Sequence, residues 1–500
     1  MDATRINSNL QKVMDVLQMN SMTRRKLIYG LGAFAGSSLL TGCGGRSTNT
    51  ASSSQIQPMP SGSLIQASVT VGASSGTSIG ANFTGLSYEK NSFAVPRFTS
   101  SNTDMINLFK LLGTSILRVG GNSVDVTTWT ANGAGQTAGQ AAPADVDALA
   151  AFLKATGWQV LYGVNLASNT PALAAEEVAY AVKSLGSSLY AIEIGNEPDL
   201  FPGTYFPSNW TLQDFEALWE LYRSAILATS PSVVITGPAS GGNISSWTVP
   251  FGIYATKQQI SLLTQHYYRG DGQSPSSTAE LLISPDTNLA PACRTLLNAA
   301  NQIGIPFRFT ETNSFYRGGA SGVSDSYASS LWVIDHLANL ALDGGIGANV
   351  HGGGDGNGYT PIADDNGAVV EVRPEFYGLL LFTMLGQGSL LTTTVSAGSL
   401  NVTAYTVKTA SGALNIVLNN KDLTNNLQVA VDCRQTVSSA LLLEMTGPDL
   451  TATSGVTIQG ASINLDGSFS PAAAYIAPQI SGKQVTCYVP ALSAVLLQVK

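Results

Sequence analysis

Two glutamates stand directly after short apolar runs, a placement that suits chemistry by paired carboxylates. Glu197 follows the run 191–195, and Glu311 follows the run 305–310. Glycosidic cleavage needs two carboxyl groups across a cleft, one to protonate the leaving oxygen and one to attack the anomeric carbon or direct water to it. For the first role Glu197 must stay protonated, which burial and the charge of Glu311 would favour. A lone acid such as Glu193 is more often structural, so the prediction depends on the pair.

These glutamates need a scaffold that gathers strand ends at one place. Short apolar runs alternate with stretches of helical apolar spacing from residue 83 to residue 384, which predicts a (β/α)8 TIM barrel of the α/β class. Active sites of such barrels lie at the C-terminal ends of the strands. A doubly wound open sheet is the alternative, but no Gly-x-Gly-x-x-Gly loop follows the first run. The predicted strands are Phe83–Tyr88, Ile116–Val119, Gln159–Val164, Ala191–Gly195, Val233–Gly237, Ile260–Gln265, Ile305–Thr310 and Ile346–His351.

The sequence outside the barrel divides into three further kinds of segment. Residues 385–500 have strand-like runs separated by Gly, Asn, Asp and Pro, which predicts a C-terminal all-β sandwich. Residues 64–82 contain an alternating strand, and we expect it to pack on that sandwich. Residues 44–63 are rich in Ser, Thr, Asn, Gln, Pro and Gly, so we interpret them as a flexible linker.

Residues 1–43 are interpreted as a signal peptide ending in a lipobox. A twin-arginine start at Arg24-Arg25 precedes a glycine-interrupted apolar stretch that is short for a membrane span. Leu40-Thr41-Gly42-Cys43 resembles a bacterial lipobox, with Cys43 as the lipidated residue. The alternative is an ordinary signal peptide with an accidental cysteine. With lipidation, we expect an exported protein of the periplasm or cell surface.

Composition limits the classes of function that remain. The net charge of −8 argues against nucleic-acid binding, which needs a basic face. Three scattered histidines and no Cys-x-x-Cys motif give little support to a metal site or a metallohydrolase, so we expect no metal and no cofactor. Cys433 and Cys487 could pair in an oxidising compartment, which would leave Cys293 as a buried thiol.

The glutamates lie in motifs that resemble known glycosidases. Asn196-Glu197-Pro198 after the fourth strand, with Glu311 after the seventh, is similar to the clan of retaining barrel glycosidases, in which this Glu is the acid/base and this Asn contacts the sugar 2-hydroxyl. The segments 117–122, 195–201, 265–268 and 310–319 narrow the resemblance to glycoside hydrolase family 79, the β-glucuronidase and heparanase-like family. That family also has a barrel followed by a sandwich.

The family resemblance implies a role for individual residues. It makes Glu311 the nucleophile and Glu197 the acid/base, with Tyr267 hydrogen-bonded near the nucleophile. The glucuronate carboxylate would be held by Tyr316, by the backbone amides of Gly318 and Gly319, and by Tyr359 as a second phenol. Glycines let backbone N–H groups approach an anion closely, and neutral donors bind a carboxylate without an ion pair. A flexible loop is the alternative for the two glycines.

For several residues near these motifs the sequence allows either a substrate-binding role or a structural role. Glu89 after the first strand, and likewise Asn122, would bind sugar hydroxyls or would be ordinary loop residues. Tyr205, together with Phe206 and Trp210, would form a stacking wall, although loop aromatics more often serve local packing. Arg317 would attract an anionic substrate or simply be solvated.

The function expected from this resemblance is a retaining exo-β-glucuronidase that removes terminal β-glucuronic acid, or its 4-O-methyl form, from glycans. Dense Lys/Arg clusters, which cleavage inside a highly sulfated chain would require, are not found in the sequence of the barrel loops. A related barrel glycosidase for a neutral sugar is the nearest alternative. A non-catalytic glycan-binding surface lipoprotein is the other, and it is disfavoured because both Glu197 and Glu311 are present. We expect a carbohydrate with a terminal β-glucuronate as the partner.

Overall fold

The predicted barrel is confirmed in the computed structural model, which describes residues 55–255, 260–352, 356 and 358–500. Eight parallel strands close into a barrel. They are Thr84–Glu89, Ile116–Gly120, Gln159–Val164, Leu189–Ile194, Ile235–Ser240, Leu263–Asp271, Phe307–Tyr316 and Ala348–His351. The main helices that follow them in turn are Thr103–Leu111, Pro143–Thr156, Pro171–Leu185, Leu212–Thr229, Val249–Ala255, Leu289–Ile303, Tyr327–Leu342 and Pro374–Leu385, with a short helix at Ala279–Ile283.

The helices begin and end where the sequence supplies caps. Thr211 accepts a hydrogen bond from the backbone N–H of Asp214, whose carboxylate accepts one in return from the N–H of Thr211. This reciprocal capping satisfies N–H groups that have no partner inside the first turn. Gly157 ends the second helix with φ 78°, a left-handed conformation that glycine adopts without a steric penalty.

The sixth and seventh strands extend further than their apolar residues indicate. The seventh strand runs to Tyr316, beyond the predicted end at Thr310, because polar residues remain in the ladder: His266 pairs with Glu311, and Tyr268 pairs with Asn313. The side chains of the added residues reach the mouth of the barrel. The extension therefore carries the candidate site.

The second layer is a sheet of twelve strands that folds over itself around its own core. Leu64–Ile79 pairs with Gly388–Ser396 on one side and with Asn426–Asp432 on the other. Buried valines and leucines from Leu414–Asn420 and Asn426–Asp432 meet in one cluster, so the two halves face each other. The remaining strands are Gln55–Ile56, Val402–Lys408, Ala440–Thr446, Thr457–Ile458, Tyr475–Ile476, Gln479–Ser481, Gln484–Val489 and Ser493–Val499.

Buried polar contacts join the sandwich to the barrel. Tyr327, at the start of a barrel helix, donates to the carbonyl oxygens of Met445 and Leu492 at 3.2 and 3.0 Å. Lys421 Nζ lies 2.6 Å from Asp335 of the same helix. Such groups are costly to bury unpaired, so they fix one relative placement of the two layers.

One expectation outside the barrel does not agree with the structure, and another lies beyond the described residues. Residues 55–57 were expected in a free linker, but Gln55–Ile56 pairs with Tyr475–Ile476, and the buried amide of Gln57 donates to the carbonyl oxygen of Tyr488 at 2.7 Å. The interpretation of residues 1–43, including Cys43, lies outside the described residues. In the part of the chain that is described, no helix is long and apolar enough to cross a membrane.

The suggested pairing of Cys433 with Cys487 is not present, since both are free buried thiols, as is Cys293. Cys487 pairs in register with Val429, four residues before Cys433. Four residues of strand span about 13 Å. A disulfide needs Cα atoms within about 7 Å, so this register separates the two sulfurs.

Candidate active site

The site lies at the C-terminal ends of the barrel strands, where side chains of five strands converge. Glu197 follows the fourth strand and has φ 50° and ψ 53°, a left-handed conformation in which a non-glycine residue is strained. Its backbone N–H donates to the carbonyl oxygen of Ala239 at 2.9 Å, which holds the turn against the fifth strand. Glu311 lies within the seventh strand, and its neighbours come from the second, sixth and eighth.

Glu311 is buried among hydrogen-bond donors and cations. Arg118 Nη1 donates to Oε2 at 2.7 Å, and the Tyr268 hydroxyl donates to Oε1 at 2.7 Å. His351 Nδ1 lies 3.8 Å from Oε2, and His266 Nδ1 lies 4.0 Å from Oε1. Burial alone would raise the pKa of Glu311, but the positive charge of His351, His266 and Arg118 lowers that pKa well below its usual range. Glu311 is therefore an ionised, oriented carboxylate, as a nucleophile must be.

Glu197 has fewer partners and is more exposed. Its Oε1 lies 2.9 Å from His266 Nδ1, and 17 % of its side chain is accessible, against 8 % for Glu311. His266 therefore contacts both carboxylates. Ligand atoms of Glu197, His266 and Glu311 all lie within 4.8 Å of one another. The two carboxyl groups thus face each other across a narrow cleft.

A buried arginine connects the two catalytic strands. Arg118 lies on the second strand and donates through Nε to Glu193 at 2.6 Å and through Nη2 to the Oδ1 of Asn196 at 2.8 Å. Burial disfavours its charge, yet Glu193 and Glu311 hold the pKa of Arg118 above its ordinary value. Glu193 thus has a structural role, as its position beside Glu197 suggested. It stabilises the arginine that orients Glu311 and Asn196.

Asn196 lies beside the acid/base candidate with every polar group oriented. Its backbone N–H donates to Asp125 at 2.9 Å, and its amide Nδ2 donates to the Oδ1 of Asn122 at 3.1 Å. Burial raises the pKa of Asp125 to about 7, although three backbone N–H groups and Arg118 oppose that rise. Asp125 and Arg118 were not anticipated from the sequence. The signal for Arg118 was a charged residue within an otherwise apolar strand, whereas Asp125 lies in the 3-10 turn Val124–Val126 after that strand.

The prediction that Tyr267 lies beside the nucleophile is wrong. Its hydroxyl donates to Asp286 at 2.8 Å, and its ring stacks on Phe309 and His336 on the outer side of the barrel wall. Tyr268 contacts Glu311 instead. The register of the sixth strand shifts between Gln265 and His266 relative to the seventh strand and between Thr264 and Gln265 relative to the fifth, and successive side chains point to opposite faces of a strand. His266 and Tyr268 therefore face the cleft, and Tyr267 does not.

Glu89 and Asn122 lie in the wall of the site and are tied to each other. Glu89 accepts hydrogen bonds from the backbone N–H of Asn122 at 3.2 Å and from the N–H and hydroxyl of Ser123 at 2.7 and 2.6 Å. His351 Nε2 lies 3.6 Å from Glu89. A Cβ on Gly121 would lie 2.5 Å from the carboxyl carbon of Glu89, so a glycine is needed there. These contacts make Glu89 an anchor for the loop after the second strand.

Three tyrosines surround the far side of Glu311. The Tyr268 ring lies 6.3 Å from that of Tyr316 and 6.2 Å from that of Tyr359, between ring centroids. Burial, followed by the charge of Glu311, raises the pKa values of Tyr268 and Tyr359 well above the usual one, so both remain hydrogen-bond donors. Tyr316 is partly exposed at the rim.

Gly318 and Gly319 lie next to this tyrosine cluster with φ 84° and 86°. A Cβ on Gly319 would lie 2.8 Å from Ser324 and 3.0 Å from the backbone nitrogen of Tyr359, so side chains are excluded. Among the described residues, neither glycine N–H donates to a protein acceptor. Arg317 is exposed and lies 3.2 Å from Asp271, so its charge is already paired at the rim.

The aromatic loop after Glu197 serves mainly for packing. Phe206 stacks on Trp210 with ring centroids 4.5 Å apart, and both contact the buried ring of Phe201. Tyr205 packs edge-on against Phe201 and leaves part of its ring exposed. Of the three candidates for a stacking wall, Tyr205 presents an accessible face.

Glu197, His266 and Glu311 also form a group whose atoms are spaced closely enough to hold a metal ion. The Glu311 oxygens already accept hydrogen bonds from Arg118 and Tyr268, and Glu197 Oε1 is hydrogen-bonded with His266 Nδ1. The donors and cations around Glu311 repel a further cation. The arrangement favours direct carboxylate chemistry.

Comparison with known proteins shows similarity to β-glucuronidases and heparanases. The chain is 26 % identical to a β-glucuronidase of Aspergillus niger over 265 residues, which is 46 % of this chain and 48 % of that protein. It is 26 % identical to mouse heparanase over 340 residues, 64 % of this chain and 62 % of that protein. The resemblance to the β-glucuronidase and heparanase family is confirmed. The chain spans about half the length of the curated β-glucuronidases it matches, and no family model matches it.

Solved structures support the fold over most of the chain. A 4-O-α-L-rhamnosyl-β-D-glucuronidase of Fusarium oxysporum superposes with a TM-score of 0.71 at 22 % identity, covering 86 % of this chain and 99 % of that one. A family 51 arabinofuranosidase of Xanthomonas axonopodis has a TM-score of 0.64 at 15 % identity, covering 87 % and 100 %. The barrel with an appended β-layer is therefore an architecture shared with several glycoside hydrolases.

Proposed function

We propose that this protein is a retaining exo-β-glucuronidase that hydrolyses terminal β-D-glucuronic acid, or its 4-O-methyl form, from glycans. The observation that carries the proposal is the approach of one oxygen of Glu197 to one oxygen of Glu311 within 4.8 Å. Retaining glycosidases hold their carboxyl groups about 5–5.5 Å apart, whereas inverting enzymes need about 6.5–9.5 Å for an intervening water. The narrow spacing favours direct attack by the protein.

The mechanism follows from the different surroundings of the two carboxylates. Glu311 attacks the anomeric carbon and forms a glycosyl ester, while Glu197 gives its proton to the departing oxygen. Glu197 then accepts a proton from water, and that water attacks the same carbon and frees Glu311. Arg118 and Tyr268 hold Glu311 in the attacking orientation by the contacts given above, and His266 holds one oxygen of Glu197. The two steps together consume one water molecule and restore both glutamates, and they require no cofactor.

Preference for a uronate is supported by the groups beside Glu311. Tyr316 and Tyr359 offer neutral hydroxyl donors, and the backbone N–H groups of Gly318 and Gly319 are free of protein acceptors within the described residues. Together they can surround a planar carboxylate without an ion pair that would bind product as tightly as substrate. The β-glucuronidase name of the Aspergillus relative points the same way.

Export and lipid attachment at Cys43 remain predictions from the lipobox-like sequence. Metabolic labelling with a fatty acid in a bacterial host, compared with Cys43→Ser, tests them. Label in the parent chain and its loss in the variant are expected. Equal labelling of the two proteins would refute lipidation at this residue.

The function is tested by hydrolysis of an aryl β-glucuronide and the matching β-glucoside by the full chain. We expect turnover of the glucuronide, at least tenfold preference over the glucoside, and a product of retained anomeric configuration by NMR. Glucoside turnover without glucuronide turnover would remove the uronate assignment but keep the paired carboxylates. Inverted product would contradict the role of Glu311 as nucleophile.

A further inference from the structure

An exposed leucine stands directly beside the acid/base candidate. Leu200 ends the short 3-10 turn Pro198–Leu200, and its backbone N–H donates to the carbonyl oxygen of Glu197 at 2.9 Å. Leu200 is 52 % exposed, although the residues on either side of it, Asp199 and Phe201, are buried. An accessible leucine three residues from a catalytic carboxyl group is a candidate contact for a ligand.

The neighbouring loop is held in place by Asp199. Its carboxylate accepts hydrogen bonds from the backbone N–H groups of Gly241, Gly242 and Asn243 at 2.8, 3.1 and 3.2 Å, and from the side chain of Asn243 at 2.9 Å. These four contacts fix the loop after the fifth strand against the turn that carries Leu200. The surface they form is therefore preorganised.

The glycines of that loop bring its backbone close to Glu197 and Leu200. A Cβ on Gly241 would lie 3.0 Å from the carboxyl carbon of Glu197 and 3.2 Å from Leu200 Cδ1, so Glu197 and Leu200 flank the same point. A Cβ on Gly242 would meet nothing within 4 Å. Leu200, Gly241 and Gly242 thus form a shelf with an apolar edge and a floor without side chains.

We propose that this shelf is the leaving-group subsite, and that it receives the flat apolar face of the first ring beyond the scissile oxygen. The proposal rests on the proposed function, because the acid/base must contact the leaving oxygen and the ring attached to that oxygen must lie on the side of Glu197. Leucine methyl groups and glycine Cα atoms present C–H surface and no charge. An aryl ring and the C–H face of a sugar ring both offer the matching surface.

The shelf is tested with three β-glucuronides that share one glycone. β-Glucuronosyl fluoride has a leaving group too small to reach the shelf, an aryl β-glucuronide carries a flat apolar ring, and a glucuronyl disaccharide carries a sugar. Leu200→Asn replaces the apolar edge with a polar side chain of the same branching and the same number of heavy atoms. We expect kcat/KM to fall about five- to tenfold for the ring-bearing substrates and to change less than twofold for the fluoride, in proportion to the apolar area lost.

A second variant adds a branched side chain to the loop of the shelf instead of changing the polarity of Leu200. Gly242→Val projects into open space and occurs at a residue whose φ is not left-handed, so the fold should tolerate it. We expect a tenfold or larger loss on the ring-bearing substrates with the fluoride unaffected. Leu221, 60 % exposed on the helix Leu212–Thr229, provides a matched Leu→Asn control that should change none of the three rates.

The possible outcomes separate the two proposals. If the parent protein cleaves none of the three substrates, the proposed function itself fails. If it cleaves them and both shelf variants keep the parent ratio of ring-bearing to fluoride rates, the subsite assignment is overturned. A loss on both ring-bearing substrates supports a sugar-binding shelf, and a loss confined to the aryl substrate supports a shelf for aromatic aglycones.

Discussion

The two candidate catalytic carboxylates are the same kind of side chain, one after the fourth barrel strand and one within the seventh, yet their surroundings differ. Glu311 is fixed by Arg118 and Tyr268 and lies near two histidines. Glu197 contacts His266, has twice the exposed fraction, and borders the open shelf. One wall of the cleft is therefore buried and rich in hydrogen-bond donors and paired charges, and the other is accessible and partly apolar.

This difference in surroundings supports the proposed roles of Glu311 and Glu197 more than the type of residue does. A nucleophile must be ionised and aimed at one carbon, which requires donors and cations around it. An acid/base exchanges protons with a leaving group and then with water, so it needs access from outside. The asymmetry of the cleft thus predicts which substitutions affect every substrate and which depend on the leaving group.

Replacing the nucleophile should have the largest effect. Glu311→Gln removes the attacking oxygen while keeping the size of the side chain. We expect kcat for an aryl β-glucuronide to fall by about 10⁴-fold or more, because removing a nucleophile leaves only binding and electrostatic contributions. Steady-state assays on the purified variant measure this. A loss below a hundredfold would indicate that another group attacks, and circular dichroism verifies that the variant is folded.

Replacing the acid/base should give a smaller loss that varies with the leaving group. For Glu197→Gln we expect kcat/KM on a glucuronyl disaccharide to fall about 10²–10⁴-fold, the usual contribution of general acid catalysis. β-Glucuronosyl fluoride needs no protonation, so its kcat/KM should change less than tenfold. Equal losses on both substrates would show that the two walls of the cleft do not differ as the contacts indicate.

The sequence located these glutamates correctly within the barrel because their signals are local. Each follows an apolar strand, and the Asn196-Glu197-Pro198 triplet is a short pattern. The tyrosine was misassigned because its orientation depends on a register shift in the sixth strand, which is a property of pairing with two other strands. The sequence predicts that successive side chains of a strand point to opposite faces. It does not predict which of them face the cleft at the mouth of the barrel.

The parts that sequence reasoning missed depend on contacts between distant segments. Arg118 acquires its role from Glu193 and Glu311, which are 75 and 193 residues away along the chain. Gln57 appeared to lie in a linker because the acceptor of its hydrogen bond, Tyr488, is 431 residues away. Composition indicates that such residues are polar. It does not indicate which partner satisfies them once they are buried.

Tyr268→Phe should loosen the orientation of Glu311 without removing either of the two proposed catalytic carboxylates. It deletes one hydrogen bond to a charged oxygen, which contributes about 1.5–3 kcal/mol. We therefore expect kcat/KM to fall roughly 10–150-fold. Tyr267→Phe is the matched control, since its hydroxyl contacts Asp286 outside the cleft. The control should lower thermal stability slightly and leave kcat/KM within threefold; a larger catalytic effect at Tyr267 than at Tyr268 would contradict the orientation of the sixth strand.

The smallest expected effect is a change in pH dependence at His351. Burial alone would lower the pKa of His351, but Glu311 and Glu89 raise it, so the ring carries a positive charge in the acidic range. That charge, with His266 and Arg118, keeps the pKa of Glu311 low. His351→Asn removes one cation, so the pKa of Glu311 rises, and the acidic limb of the kcat/KM profile should move up by about one pH unit.

The contribution of the Glu311–His351 pair to folding stability depends on pH, and the two residues act in opposite directions. This pH dependence distinguishes the loss of the pair from a non-specific loss of stability. The lowered pKa of Glu311 stabilises the fold above about pH 4.5, and that stability is lost as pH falls through the folded-state pKa. The raised pKa of His351 stabilises it below about pH 6.5, and that contribution is lost as pH rises through the folded-state value. The stability advantage of the parent over His351→Asn should thus be largest between these values.

His336→Asn is the control for this comparison. His336 is buried behind the seventh strand, and burial lowers its pKa to about 4, so it is neutral through most of the acidic assay range. Its removal deletes a hydrogen bond to Thr312 but no charge near Glu311. We expect the acidic limb to stay in place while thermal stability falls. An equal shift of the limb in both variants would mean that packing, and not the charge of His351, sets the ionisation of the nucleophile.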